Sequence, residues 1–191
     1  MTLTPDRMHE IEQKQDILDF WFSADLRKQW FASTPALDQR LLHRFESTWA
    51  RAATGDFDHW NTDPEGCLAL IIILDQFPLN MFRGHAKSFS TEAQSINIAR
   101  HAVAHGFDHD IEADRLAFLY MPFMHSENLA NQNRSVELFT QAGLQANIRF
   151  AKHHHEIVRL FGRFPHRNAI FGRTSTPAEL DYLASDHAFT G

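Results

Sequence analysis

Residues 67–84 read CLALIIILDQFPLNMFRG, and this stretch decides the fold. Its first eight residues are apolar around the whole circumference of a helix, which indicates a helix buried at the centre of a protein. Asp63 and Pro64 mark where it begins, because aspartate caps a helix and proline fits the first helical turn. Pro78 predicts that the helix ends or kinks there. The stretch therefore predicts a buried central helix followed by a polar turn.

Helical signals also cover most of the remaining chain. Apolar side chains recur at helical spacing, and capping residues, prolines or glycines mark the segment ends. The helices predicted beside the central one cover residues 12–22, 34–54, 90–105, 112–124, 127–142, 144–161 and 176–185. Pro122 predicts a kink or an early stop in one of them. Because no segment alternates between apolar and polar residues, we predict an all-α fold, a single domain over residues 1–191 made of antiparallel helices.

Composition narrows the possible partners and location. The formal net charge of −6 argues against duplex nucleic acid as a partner, because phosphate binding needs a basic face. The longest uncharged apolar run has eight residues, which is too short to span a bilayer, so no membrane partner is expected. One cysteine, Cys67, and a polar N-terminus without a signal segment favour a cytoplasmic location. The sequence gives no indication of an oligomeric state.

Two segments with similar sequences stand out as the candidate site. The first Phe-Pro segment, residues 75–84, reads DQFPLNMFRG, and the second Phe-Pro segment, residues 162–173, reads GRFPHRNAIFGR. Each follows an apolar run and places asparagine and arginine after Phe-Pro. Cationic and amide donors concentrated in an acidic chain must meet internal carboxylates or an anionic ligand. We therefore predict that the two segments meet in space and that Asp75 pairs with Arg83, Arg163 or Arg167.

Three interpretations of these residues remain open. The residues predicted to bind a small anionic molecule or a peptide carboxylate are Asp75, Asn80, Arg83, His125, Glu127, Arg163, His166, Arg167, Asn168 and Arg173. Alternatively, the protein is an enzyme in which His125 or His166 acts as general acid or base, with Asp75 or Glu127 orienting it. In the third interpretation the polar turns only hold helices together, and Ser126 and Glu127 form the N-terminal cap of a helix.

Other conspicuous residues predict structure rather than chemistry. His153, His154 and His155 are consecutive, so their side chains point about 100° apart on a helix and cannot converge on one metal ion. His154 is the one expected to face inward. No metal-ligand pattern, phosphate-binding loop or nucleophile motif occurs, so neither a metal nor a cofactor is predicted. The aromatic residues Phe20, Trp21, Phe22, Trp49 and Trp60 are expected in the core, with Trp30 and Phe31 as the exceptions.

Three long motifs resemble one known family. They are LDQFPLNMFRG at 74–84, FLYMPFMHSEN at 118–128 with NQNRSVELF at 131–139 after it, and FGRFPHRNAIFGRTSTPAEL at 161–180. Together they resemble the bacterial domain of unknown function family nine-hundred-and-twenty-four, and the similarity extends over nearly the whole chain. The resemblance implies an all-helical fold similar to the right-handed tetratricopeptide superhelix. It implies no particular activity.

Overall fold

The computed structural model of the protein describes residues 13–30 and 32–189, and every regular element in these two ranges is helical. The all-α prediction is therefore confirmed. The α-helices are, in chain order, α1 (Lys14–Trp21), α2 (Ala24–Arg27), α3 (Pro35–Ala53), α4 (Pro64–Ile71), α5 (Phe77–Met81), α6 (Glu92–Ala104), α7 (Ala113–His125), α8 (Leu129–Gln141), α9 (Gln145–Phe161) and α10 (Pro177–Leu183). Short 3-10 turns connect several of them at Asp58–Trp60, Ala86–Phe89, Phe107–Asp110 and Pro165–Arg167.

Local capping chemistry begins the helices where the sequence predicts. The side chains of Thr34 and Asp63 accept hydrogen bonds from the first-turn amides of α3 and α4. Thr176 and Glu179 form a reciprocal capping box at the start of α10. Gly162 ends α9 with φ of 70°, a left-handed conformation that costs glycine little. These ends are set by neighbouring residues, which explains why they could be predicted.

The central helix does not end at Pro78. A π-helical turn, Ile72–Gln76, joins α4 directly to α5, and Pro78 lies in the first turn of α5. A proline cannot donate to the carbonyl four residues earlier, which here belongs to Leu74. The hydroxyl of Thr91 donates to that carbonyl instead, at 2.5 Å. The helix therefore continues because a side chain from a later segment replaces the missing backbone donor.

Pro122 does not stop its helix either. α7 runs three residues beyond it to His125, so of the predicted kink or early stop, the early stop is wrong. Its neighbours from Phe118 to Met124 are all buried, and packing on every side holds the turn in helical form. This continuation places His125 at the last position of α7, facing the rest of the candidate site.

Two hydrophobic clusters divide the interior. The main cluster surrounds α4 and contains Phe20, Trp21, Phe22, Trp49 and Trp60, as expected. Trp30 is partly buried and packs against this cluster, while Phe31 lies outside the described residues. The second, smaller cluster contains Ile157, Val158 and Phe164, with Tyr182 and Phe189 packed against it. Within the described ranges no helix combines the length and apolar character needed to cross a membrane.

Candidate functional site

A buried carboxylate and a partly exposed imidazole form the centre of the candidate site. Asp75 lies in the π-helical turn with 4% of its surface exposed. Nδ1 of His125 lies 2.9 and 3.0 Å from its two carboxylate oxygens, and Nε2 of Gln76 donates to one of them at 2.5 Å. The expected arginine partner of Asp75 is therefore wrong, because a histidine from α7 and the adjacent glutamine occupy both oxygens.

The pair fixes the tautomer of His125. An ionised carboxylate can only accept hydrogen bonds, so Nδ1 carries the proton and Nε2 of the neutral ring keeps its lone pair. The His125 side chain is 19% exposed, and Nε2 is neither enclosed nor hydrogen-bonded by any residue in the described part of the chain. The result is an imidazole held from behind by Asp75 with a basic nitrogen directed outward.

Arg167 connects the second Phe-Pro segment to the same histidine. Its Nη2 donates to the backbone carbonyl of His125 at 2.7 Å, and its Nη1 donates to Glu92 at 3.1 Å. The guanidinium lies between the rings of Phe89 and Phe164, at 4.3 and 4.7 Å from their centroids. Side chains from both Phe-Pro segments thus contact His125, although Arg167 does not bond to Asp75.

Glu92, at the start of α6, was not recognised in the sequence. Burial raises the pKa of this carboxyl group, Asp75 raises it further, and Arg167 opposes both effects. Burial also lowers the pKa of the Arg167 guanidinium, while Glu92 and Glu127 work against that shift. An acidic residue in a first helical turn is an ordinary feature, so nothing in the sequence marks Glu92 as the partner of an arginine 75 residues away.

The other arginines of the second Phe-Pro segment are each paired with a carboxylate. Arg173 donates to both oxygens of Glu127, at 2.6 and 2.8 Å, and the amide of Phe164 also donates to Glu127 at 2.8 Å. Burial alone would raise the pKa of Glu127, but these hydrogen bonds outweigh it and lower the pKa. Arg163 donates to both oxygens of Glu179, which lowers the pKa of that carboxyl group to about 2.

Two further predicted residues of the first segment form a separate group. Arg83 donates to Asp38 at 2.8 and 3.2 Å and to the amide oxygen of Asn80 at 2.9 Å. Nδ2 of Asn80 donates to the backbone carbonyl of Gln76. Asp38 belongs to α3, so Arg83 is turned toward α3 and away from His125.

Each arginine of the two Phe-Pro segments therefore has an acidic partner. The carboxylates that neutralise Arg83, Arg163 and Arg167 come from α3, α10 and α6, which lie outside the two segments. Arg173 pairs with Glu127, which lies between α7 and α8. The two segments thus contain several hydrogen-bonded pairs rather than one group of free cations.

His166 and Asn168 lie next to this network but take no part in its ion pairs. Burial lowers the pKa of His166 to about 4, and Arg167 adds to the effect. Its ring lies 5.6 Å from Phe164 and 5.1 Å from Phe189. His154 also faces these rings and donates from Nδ1 to the carbonyl of Phe150, and burial lowers its pKa to about 3. Nδ2 of Asn168 donates to Ser175.

The interpretation of Ser126 and Glu127 as a helix cap is wrong. Asn128 caps α8 instead, since its side chain accepts from the amides of Ala130 and Asn131. Ser126 accepts hydrogen bonds from the amide of Asn128 and from the side chain of Asn131. Glu127 is thereby free to reach Arg173, which places it in the polar network rather than at the helix terminus.

Metal and thiol chemistry find little support in the geometry. Over residues 13–30 and 32–189, no three histidine, cysteine or acidic side chains come together as metal ligands do. The thiol of Cys67 is buried, and burial raises its pKa to about 11. A thiol in that environment stays protonated near neutral pH and is a poor nucleophile.

Comparison with known proteins gives a family and a related structure. The family model described as "Bacterial protein of unknown function (DUF924)" matches residues 17–187. A solved structure of a protein of unknown function from Agrobacterium tumefaciens is 38% identical, with a TM-score of 0.85, covering 90% of this chain and 96% of that one. No curated protein matches the chain. The chain belongs to the bacterial family of proteins of unknown function that its sequence motifs resemble.

Proposed function

We propose that the protein is an enzyme in which His125 acts as a general base and Asp75 orients it. The observation that carries this proposal is the contact between Nδ1 of His125 and the buried Asp75 carboxylate, in a side chain that is 19% exposed and whose Nε2 makes no hydrogen bond within the described part of the chain. A histidine held in one tautomer by a carboxylate, with its other nitrogen accessible, is the arrangement that removes protons in many hydrolytic enzymes.

Charged side chains on two sides of His125 complete the site. Asp75 and Glu92 contribute two negative charges and Arg167 one positive charge, so the group is net negative while the imidazole is neutral. When Nε2 takes a proton, the imidazolium is stabilised by the Asp75 carboxylate directly behind it. The fixed hydrogen bond from Arg167 to the His125 carbonyl also holds the end of α7 in place.

The proton comes from a bound substrate or from water. No hydroxyl or thiol group within the described ranges is hydrogen-bonded to Nε2, so the chain does not supply a serine, threonine or cysteine nucleophile of its own at this nitrogen. This arrangement supports hydrolysis by an activated water molecule or proton removal from a substrate, rather than formation of a covalent intermediate.

The alternative proposal is that the polar surface around the two Phe-Pro segments binds a small anionic molecule or a peptide carboxylate without converting it. The paired arginines weigh against this alternative, because a ligand would have to compete with Glu92, Glu127 and Glu179 for the same donors. A cytoplasmic location and the lack of nucleic acid or membrane partners also stay proposals, supported by the single cysteine and the acidic charge.

Turnover of a panel of chromogenic esters, amides and phosphate esters tests the catalytic proposal. We expect His125→Gln to lower turnover of any accepted substrate at least about 100-fold, because glutamine cannot shuttle a proton at neutral pH. Asp75→Asn should lower it as well, because its amide can donate to Nδ1 and stabilise the wrong tautomer. The matched control is His109→Gln, an exposed histidine in the Phe107–Asp110 turn.

Two outcomes would contradict the proposal. The base lies elsewhere if His125→Gln turns over substrate as fast as the control. If no substrate is turned over but an anion raises the stability of the wild type, the binding alternative is favoured. An anion present at a hundredfold its dissociation constant should add about 2.7 kcal/mol to the free energy of unfolding.

A further inference from the structure

A second candidate site lies in a groove between α6 and α8. Both helices pack against α7, and a cleft of about 420 Å³ opens between them with Phe123 of α7 at its floor. The residues that line it are Arg100, Val103, Ala104, Phe123, Ala130, Asn131 and Arg134. None of them belongs to the Asp75–His125 pair. The volume falls in the range of about 300–1,000 Å³ that small-molecule pockets occupy.

Arg100 differs from the arginines of the Phe-Pro segments, because no acidic side chain in the described part of the chain pairs with it. Its Nη2 donates to the amide oxygen of Asn131 at 2.6 Å, and its Nη1 donates to that of Asn97 at 3.2 Å. Both acceptors are neutral, so they orient the guanidinium without cancelling its charge. An arginine has five N–H groups, and three of those in Arg100 make no hydrogen bond within the described part of the chain.

The position of Arg100 is set by a buried support. Asn131 is 6% exposed, and its Nδ2 donates to the hydroxyl of Ser126 at 2.9 Å. This bond fixes the side-chain amide of Asn131 so that its Nδ2 faces Ser126 and its oxygen accepts from Arg100. A cation held by a buried amide is already ordered before a ligand arrives, which reduces the entropy lost on binding.

The remaining wall of the groove sets the character of the ligand. Arg134 brings a second guanidinium, of which one nitrogen pairs with Glu137, so the groove keeps a net positive charge in a chain of net charge −6. Val103, Ala104, Ala130 and Phe123 supply apolar surface beside it. A planar guanidinium binds carboxylates in a two-pronged manner, and the apolar wall suits a hydrocarbon group attached to the carboxylate.

We propose that this groove binds a small organic carboxylate with an apolar tail. The carboxylate pairs with Arg100 and is assisted by Arg134, and the tail lies along Val103, Ala104 and Phe123. The proposal does not depend on the catalytic role of His125, so the two can fail separately.

Titration with hexanoate, followed by calorimetry and by backbone amide chemical shifts, tests the proposal. We expect hexanoate to bind more tightly than acetate or inorganic phosphate, and the shifted amides to lie in α6 and α8. Arg100→Gln should weaken binding at least about tenfold, which corresponds to the loss of one charge-assisted hydrogen bond. Arg149→Gln, an exposed arginine of α9 that contacts Phe150, is the matched control and should bind like the wild type.

Further variants keep the result interpretable. Arg100→Lys retains the charge but not the planar fork, so it should also weaken hexanoate binding and replaces Arg100→Gln if that variant does not fold. His125→Gln should leave hexanoate binding unchanged. The proposal is overturned if hexanoate does not bind, if phosphate or hexanamide binds equally well, or if Arg100→Gln binds like the Arg149→Gln control.

Discussion

The two Phe-Pro segments share a sequence pattern but fold in opposite ways. Phe77 has φ of −63° and ψ of −51° and stays helical, whereas Phe164 has φ of −91° and ψ of 111° and is extended. Proline disfavours the helical conformation in the residue before it, so Phe164 follows the local preference and Phe77 does not. Phe77 is fully buried and stacks on Phe45 at 4.4 Å, which holds it against that preference.

The two segments also differ in the groups that pair with their charged side chains. The first segment buries Asp75 against a histidine, which can be neutral and whose side chain is 19% exposed. In the second segment, Arg163, Arg167 and Arg173 each bind a carboxylate. The first segment therefore buries a carboxylate against a partner that can be neutral, while the second holds the surrounding helices in place through ion pairs.

The largest expected effect comes from removing Arg167 from the second segment. Arg167→Met leaves Glu92 without its cation in a poorly solvated position, and we expect a loss of roughly 3–5 kcal/mol in the free energy of unfolding. Urea denaturation measures the loss, and adding Glu92→Gln to the variant should restore part of it. The control, Arg159→Met, removes an exposed arginine that pairs with Glu156 one helical turn away, and it should have a much smaller effect. Equal losses in the two variants would mean that Arg167 does not hold the helices together.

Thr91 tests why the first segment stays helical. Thr91→Val removes the hydroxyl that donates a hydrogen bond to the Leu74 carbonyl. The same hydroxyl accepts a hydrogen bond from Nε1 of Trp49 at 3.2 Å. Leaving these buried groups unpaired should cost about 1–3 kcal/mol in unfolding free energy. Pro78→Ala in the same background supplies a backbone N–H to the Leu74 carbonyl and should recover part of the loss. If Pro78→Ala helps the wild type as much as the Thr91→Val variant, the hydroxyl is not the substitute donor.

Pro78 and Pro122 show which parts of the fold the sequence could predict and which it could not. Capping residues, Gly162 and helical spacing act over a few residues, so the boundaries of α3, α9 and α10 were predicted closely. The continuation of helix through Pro78 and Pro122 depends on packing and on Thr91, which is distant in sequence. A rule that considers only the residues next to a proline therefore cannot predict that the helix continues past it.

The candidate site was predictable in composition but not in pairing. His125, Glu127 and the arginines of the second segment do lie in one polar network with Asp75 or beside it. Their partners Glu92 and Glu179 occupy first helical turns, where acidic residues are common, so the sequence does not distinguish them. The two segments contain four arginines and one carboxylate, Asp75, so the acidic partners of these arginines lie elsewhere in the sequence.

His154, which packs against Phe164 of the second segment, predicts how stability responds to acid. Its pKa falls from an ordinary value of 6.5 to about 3 in the folded protein, chiefly because it is buried. A depressed histidine pKa means that the unfolded chain binds the proton first, so stability is complete above pH 6.5 and is lost as the pH falls toward 3. Between pH 7 and 5 this residue alone should remove about 2 kcal/mol. His154→Gln should reduce the loss by that amount in denaturation experiments at the two pH values, and a variant with an unchanged pH dependence would contradict the assignment.

Asp75→Asn should have the smallest effect on stability, even though Asp75 is among the most buried charged residues. An arginine partner would have been left as an unpaired buried cation, at a cost of roughly 3–5 kcal/mol. Its actual partner His125 can be neutral, and the asparagine side chain can still exchange one hydrogen bond with Nδ1 and one with Gln76. We therefore expect a loss of about 1–2 kcal/mol in urea denaturation. A loss as large as that of Arg167→Met would mean that the first segment, like the second, depends on a compensated charge pair, and the contrast between the two segments would fail.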